Sequence, residues 1–389
     1  MSSTTASLDV DVHERSRWVA AGLDRLTGPV DGPALGPPAG FVGRLDALTA
    51  RLATAGAALD AQVDVDGLGA LAVRAELLDH TRQGQVSCGG SCHLVRADDG
   101  WFAVSLARPD DWELLPAWLG VSGVDHDWDD VHRAARTSSV ADAVERGVLL
   151  GLPIGALGER SHRPAAEVQL TAAPSGASPT RSAPRTLRSL RVADLSSMWA
   201  GPLCGSILAA GGAEVLKVES LHRPDGTRSG PAAFHDLLNG EKRTVVVDLT
   251  TSDGIAELQQ LLRSVDVVIE SSRPRALRQL GIRAEELLDA PDGPALWLSI
   301  TGHGRDGVDG DRVAFGDDAA VSGGLVRWWE GRPHFCADAV ADPLTGLWAA
   351  AAVLEALVDG RRGLLDVAMS GVAARFADGA PDPGPERTE

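Results

Sequence analysis

Tyrosine is missing altogether from the 389 residues, and cysteine occurs four times, as Cys88, Cys92, Cys204 and Cys336. The absence of tyrosine beside ten tryptophans points to no function. Cys88 and Cys92 are spaced as half of a metal site would be. No second Cys/His pair follows at finger spacing, so no metal is expected. Few cysteines and no signal-peptide pattern together predict a reducing, cytoplasmic setting. Positive charge is in short supply: 36 Lys+Arg stand against 54 Asp+Glu, a formal net charge of -18. That balance argues against nonspecific binding to nucleic acid or to an anionic membrane, and a polyanionic ligand would need a local basic pocket. No apolar run reaches the length of a membrane span. Neither G-x-G-x-x-G nor a P-loop occurs, so a dinucleotide or a nucleoside triphosphate is not indicated.

What the sequence does contain is enough apolar material, 44% of residues, for a sizeable core. Residues 172–186 read AAPSGASPTRSAPRT, a composition that cannot pack and predicts a linker. It separates a first half, 1–171, from a second, 187–389. In the first half Leu45, Leu48, Leu52 and Leu59 keep helical spacing, and Leu68 to Leu78 continues as a helix. GQVSCGGSCHLVRADDGWFAVSLA then alternates like strands around an Asp99-Gly100 turn, with helices following at Asp110–Leu119 and Ser139–Leu150. The expectation is a smaller α+β domain. The second half alternates strands (Leu190–Leu195, Glu214–Val218, Thr244–Leu249, Val265–Ile269, Ala295–Ile300) with helices (Leu203–Ala210, Ser252–Arg263, Leu344–Val358). This predicts an α/β domain with an open, mainly parallel sheet and helices on both faces, its ligand at the carboxyl ends of the strands.

Asp342 leads ADPLTGLWAAAAVLEAL. Asp followed by Pro and a helical run is the pattern of an N-cap with Pro at N1, and capping alone would explain it. A carboxylate at a helix start also faces partial positive charge, which favours the ionised, nucleophilic form. DLSSMWAGPLCGSILAAGGAEVLKVES reads as strand, Gly-Pro turn, helix and strand; free N–H groups at the turn could receive a phosphate or oxyanion, or its glycines could simply permit close packing. Lys217, Lys242, Arg243, Arg273, Arg275 and Arg278 fall at or just after strand ends, where they could neutralise phosphates or form a solvated rim. His303 and the doublet Asp317-Asp318 read as a loop histidine and a second helix cap.

Taken in order, these blocks resemble family III CoA-transferases, the group that includes formyl-CoA and carnitine CoA-transferases and alpha-methylacyl-CoA racemase. The resemblance runs through DLSSMWAGPLCGSILAAGGAEVLKVES, PDGTR, LLNGEKRTVVVDL, VDVVIESSRPRALRQLG, LWLSITGHGRDG, VADPLTGLWAAAAVLEAL and GLLDVAM, covering nearly all of 188–370. VSCGGSCHLVRADDGW and TSSVADAVERGVLLGLPIGALGE resemble blocks that the family places after these, so the resemblance implies a circularly permuted chain, with the smaller domain first. It implies CoA transfer from an acyl-CoA to a carboxylic acid, Asp342 as the nucleophile that becomes an aspartyl-CoA, and a homodimer. CoA would be a substrate, with no resident cofactor. Met198 and Ala200 (through the backbone), Lys217, Lys242, Arg273 and Arg278 would line the CoA pocket, and Gly89-Gly90 would form a glycine loop near Asp342. Two further readings are an acyl-CoA racemase or isomerase on the same scaffold, and a CoA-binding pseudoenzyme. Glu270-Ser271-Ser272-Arg273-Pro274-Arg275 stands where the family commonly has ENF-x-PG, and the glycine loop is cut to Gly89-Gly90, which together motivate the pseudoenzyme; the retained Asp342 argues against it. The stretch from Phe315 to Gly323 lacks the racemase histidine, which counts against racemisation.

Overall fold

The computed structural model describes residues 12–120, 127–160, 168–172 and 186–377. Of the expected linker, 173–185 lies outside the described residues. Residues 12–20 are helical. Counting the helices of seven residues or more after them, the chain runs α1 (Phe41–Ala58), α2 (Gly67–Leu78), β1 (Cys92–Arg96), β2 (Trp101–Ser105), α3 (Trp128–Ala135), α4 (Val140–Leu150), β3 (Ile154–Ala156) and β4 (Val168–Ala172). It continues through β5 (Arg191–Asp194), α5 (Ala200–Ala210), β6 (Glu214–Ser220), α6 (Ala232–Asn239), β7 (Arg243–Val247), α7 (Ser252–Arg263), β8 (Val267–Glu270) and β9 (Leu296–Thr301). Last come α8 (Gly316–Ser322), β10 (Val326–Trp329), β11 (Arg332–Phe335), α9 (Ala341–Val358), β12 (Gly363–Ala368) and α10 (Met369–Phe376). Local chemistry sets several starts. The side chains of Asp66, Ser139 and Thr251 accept from the N–H groups of Gly69, Asp142 and Gly254, capping α2, α4 and α7.

Seven strands form one sheet in the order β4-β12-β9-β8-β5-β6-β7, all parallel except β4, which runs antiparallel to β12. Alternate residues serve opposite faces, as a pleated strand requires. Val267 and Ile269 of β8 join the core with α1, α5, α9 and α10, while Val268 joins Leu258 and Leu262 of α7 on the other side. This is the open, mainly parallel α/β sheet that the strand–helix alternation predicts.

The packing divides elsewhere than at the linker. Residues 92–160 carry a separate core around Phe102, Val104, Trp118 and Ile154, built on the antiparallel sheet β1-β2-β3. The helices before it, α1 and α2, bury Leu45, Leu48, Leu52 and Leu71 in the same core as α9. β4 closes an edge of the large sheet. Helical spacing shows that a face is buried without showing against what, which is why the N-terminal helices read as part of the smaller unit.

The central helix α9 is, by length and composition, apolar enough to cross a membrane, contrary to the expectation that no such segment exists. Here it is the core helix, with most of its residues buried. Gly346 lets α5 approach it: an added Cβ would lie 2.7 Å from the Ala200 carbonyl oxygen.

Strand order reverses at β5, with β6 and β7 to one side and β8, β9 and β12 to the other. The loops leaving β5 and β8 therefore diverge, opening a crevice where open α/β sheets hold ligands.

Candidate active site

That crevice contains a cavity of ≈ 330 Å³. Ser197 and Met198 line it from the loop after β5, Ala200 from the start of α5, and Ser271, Ser272 and Arg273 from the loop after β8. Thr301 and Gly302 line it at the end of β9, and Asp342 lines it from the first turn of α9. Among the described lining residues the charges are uneven, with four arginines (Arg108, Arg223, Arg273, Arg312) and one carboxylate, Asp342. Arg312 is neutralised by Glu159 at 2.8 Å and Asp309 at 3.1 Å, and Arg108 by Asp111 at 2.5 Å. Burial and the neighbouring Arg275 and Arg108 hold the Arg273 guanidinium below its usual value, the mark of cations gathered together.

Asp342 is not the cap that its spacing suggests. The helix begins at Ala341 with Val340 at the N-cap, and no side chain caps it. The Asp342 N–H donates to the Ala339 carbonyl at 2.9 Å. Its carboxylate accepts from the Gly316 N–H, and a Cβ at Gly316 would collide with it. Nor does the helix start keep it a strong acid. Burial pushes it up to about 7, Arg74 pulls it down, and Asp318 and Asp338 add to the upward push.

Asp342 belongs to a group of four carboxylates. Asp338, fully buried, takes a bidentate pair from Arg74, with Nε at 2.7 Å and Nη2 at 2.6 Å. Although burial opposes it, His80 and Arg74 hold Asp338 below the usual carboxylate range. Asp317 accepts from the Ala339 N–H at 3.0 Å, yet burial and then the charge of Asp338 push it up to about 7. Asp318 accepts from Ser105 Oγ at 2.7 Å and from the Phe315 N–H at 3.0 Å. Phe315 is the N-cap of α8 and both acids lie inside the helix, so neither is the cap that the doublet suggests. Burial pushes Asp318 to about 7 as well.

Asp318 therefore weakens the fold as pH rises. Its ordinary value is 3.8 and its folded value about 7. Between the two the unfolded chain sheds the proton that the fold retains. Asp318→Asn keeps both accepted bonds and is expected to raise stability at about pH 8 by on the order of 2 kcal/mol. Near about pH 4.5 most of the gain should vanish. Urea denaturation at the two pH values tests this, and a gain independent of pH would contradict it.

Two of the expected phosphate-binding cations are committed elsewhere. Lys217 is completely buried, pairs with Asp225 at 2.7 Å and donates to the Ser196 carbonyl. Lys242 donates to Asp194 at 2.8 Å, Pro202 O at 2.7 Å and Asn239 Oδ1 at 3.0 Å. Neither presents a free N–H to the cavity; both fix the loops that shape it. Arg278 lies outside the lining and pairs with Glu285 at 3.5 Å. Met198, Ala200 and Arg273 do line the cavity. Gly89 and Gly90 are exposed, and a Cβ on Gly89 would lie 3.6 Å from Arg74 Nη2, so this turn sits beside Arg74.

Sequence reasoning missed Arg74, Asp338, Arg108 and Arg223. Arg74 interrupts the apolar run of α2 and Asp338 the apolar stretch from Phe335 to Val340, a faint signal of buried charge in each case. Nothing local connects two residues 264 positions apart.

Fold and site together define an α/β protein with, among the described residues, a single carboxylate facing an arginine-rimmed crevice at a topological switch point. The family model for CoA-transferase family III matches residues 187–381, half of the chain. The chain belongs to that family. It is 34% identical over 202 residues to the succinate–glutarate CoA-transferase of Agrobacterium fabrum, covering 47% of this chain and 49% of that protein. It is 33% identical over 184 residues to the succinyl-CoA–D-citramalate CoA-transferase of Chloroflexus aurantiacus, covering 45% and 46%. Among solved structures, a CAIB/BAIF family protein from Brucella suis matches with TM-score 0.44 and 28% identity, over 49% of this chain and 54% of that one. The chain thus spans about half the length of the curated relatives it matches.

Proposed function

We propose that the protein moves CoA from an acyl-CoA to a carboxylic acid, with Asp342 as the nucleophile. What carries this reading is that Asp342 is the sole carboxylate among the described residues lining the cavity, on a rim of arginines suited to a phosphorylated thioester. The ionised carboxylate attacks the thioester carbonyl, forming an Asp342–acyl anhydride and releasing CoA thiolate. The thiolate attacks the aspartyl carbonyl, releasing the acyl group as a free carboxylate and leaving aspartyl-CoA. An incoming acid reverses both steps and departs as its CoA ester, with no net proton or water consumed. Arg273 and Arg223 are the cations proposed to meet phosphate. The names of the two relatives favour dicarboxylic acids as first substrates to try.

Asp317 and Asp318 point into the protein and do not line the cavity, so neither stands opposite Asp342 as the second base that racemisation would need. A circularly permuted order is part of the same proposal. It is supported by Arg74, Gly89 and Arg108, which reach the site from outside the segment that matches the family model.

The test is intact-protein mass spectrometry after incubation with acetyl-, succinyl- and glutaryl-CoA. A covalent CoA adduct mapping to Asp342 is expected with at least one donor. Its formation should slow as pH falls through about 7, because protonation there removes the nucleophile. No adduct and no CoA exchange with any donor would overturn the reading.

A further inference from the structure

We propose that Arg74, from the N-terminal helix α2, is a positioning residue for the chemistry at Asp342, acting through the strained turn that starts α9. The inference rests on reading Asp342 as the nucleophile. Ala337 and Ala339 both adopt left-handed backbone, with φ of 56° and 44°. Side chains with a Cβ rarely tolerate this region, and two such residues within three positions persist only where the surroundings hold them. Here they are held from several directions. The Ala337 N–H donates to Thr27 Oγ1 at 3.0 Å and the Ala339 N–H to Asp317 Oδ1 at 3.0 Å. Between them, Asp338 is clamped by the Arg74 fork, with His80 Nδ1 at 3.6 Å behind it. The Ala339 carbonyl then accepts the Asp342 N–H, so the orientation of the turn passes directly to the nucleophile.

Arg74 also reaches the other wall. Its guanidinium lies 5.1 Å from the centroid of the Trp199 ring, and Trp199 immediately precedes the cavity-lining Ala200. One side chain thereby ties the loop after β5 to the turn before α9. The charged and titratable groups around Asp342 are Arg74 from α2, Asp317 and Asp318 from α8, Asp338 from the turn, His80 beyond Asp338, and the cavity-lining Arg108, Arg223, Arg273 and Arg312. Arg74 opposes the upward push of the acids on Asp342, while Asp338 adds to it. A plain structural ion pair would stabilise the fold and leave the ionisation of Asp342 unmoved by its removal.

Three variants separate the roles: Arg74→Lys, Asp338→Asn and Arg74→Gln/Asp338→Asn. The double variant leaves no unpaired buried charge, so it is expected to fold where Arg74→Gln alone could fail. Two readouts are taken on the full chain. One is the rate of CoA-adduct formation with succinyl-CoA against pH. The other is the pH midpoint for modification of Asp342 by a water-soluble carbodiimide, read by peptide mass spectrometry, which needs no turnover. Arg74→Lys keeps the charge and loses the planar fork, and should slow adduct formation about tenfold or more with the midpoint nearly in place. Asp338→Asn should lower the midpoint. The double variant should sit above Asp338→Asn by on the order of one pH unit, since the pair differs by the Arg74 charge. Equal midpoints in those two, with a wild-type rate in folded Arg74→Lys, would overturn the inference. If wild type forms no adduct with any donor in the panel, the transfer reading fails, and the carbodiimide midpoints still decide whether Arg74 governs Asp342.

Discussion

Replacing Asp342 by Asn is expected to abolish CoA-adduct formation and transfer, by on the order of 10⁴-fold or more, while CoA still binds. An amide cannot attack a thioester to form an anhydride, so the covalent route closes. The fold should tolerate the change. Asp342 caps nothing, and the amide oxygen can still accept the Gly316 N–H. An acid held at about 7 among other carboxylates also contributes no stability above that pH, so the variant should melt at or above the wild-type temperature near about pH 8. Normal turnover by the variant would remove Asp342 from the chemistry. A variant that melts far below wild type would contradict the account of its surroundings, and Asp342→Glu with adduct trapping would then carry the catalytic test.

The second large effect concerns stability. Lys242→Met should destabilise the protein by about 3–5 kcal/mol, because it strands the fully buried Asp194 without its cation. Adding Asp194→Asn should restore a substantial part of that loss, since the remaining amide is neutral and can still accept from the Ser196 N–H. Arg273→Ala is expected to do the reverse: little change in urea midpoint and about tenfold weaker CoA binding, measured by calorimetry. If Lys242→Met left stability intact and selectively weakened CoA binding, Lys242 would be a ligand after all and the enclosed pair would be misread. The contrast matters because both residues look alike as basic positions near strand ends.

Much of the architecture was legible because it is written in local periodicity. Alternation of β-rich and helical stretches from Leu190 onward predicts the parallel sheet, and the observed strands fall within a few residues of the expected ones. Helix α7 matches its expected bounds, with Thr251 as its cap. Asp342 was legible as a residue of interest through the block around it. Its environment was not: the Asp-Pro pattern suggests a cap and an ionised acid, whereas the N-cap lies two residues earlier, at Val340, and burial pushes the acid up. Desolvation depends on what surrounds a side chain in three dimensions, and a local pattern carries no account of that.

The basic residues show the same limit. Lys217, Lys242, Arg273 and Arg278 are equivalent in sequence as cations near strand ends, yet the first two are sealed in ion pairs, the third faces the cavity and the fourth pairs at the surface. By itself the sequence determined the α/β order of the second half, its family resemblance and the position of Asp342, because periodicity, caps and ordered motifs are properties of neighbouring residues. Only the tertiary structure decided that α1 and α2 join the main core, that Arg74 clamps Asp338, and that four carboxylates share one buried neighbourhood. The physical reason is distance along the chain. Packing partners and charge partners meet through the fold, and the free energy of each charge is set by the neighbours and the burial it finds there.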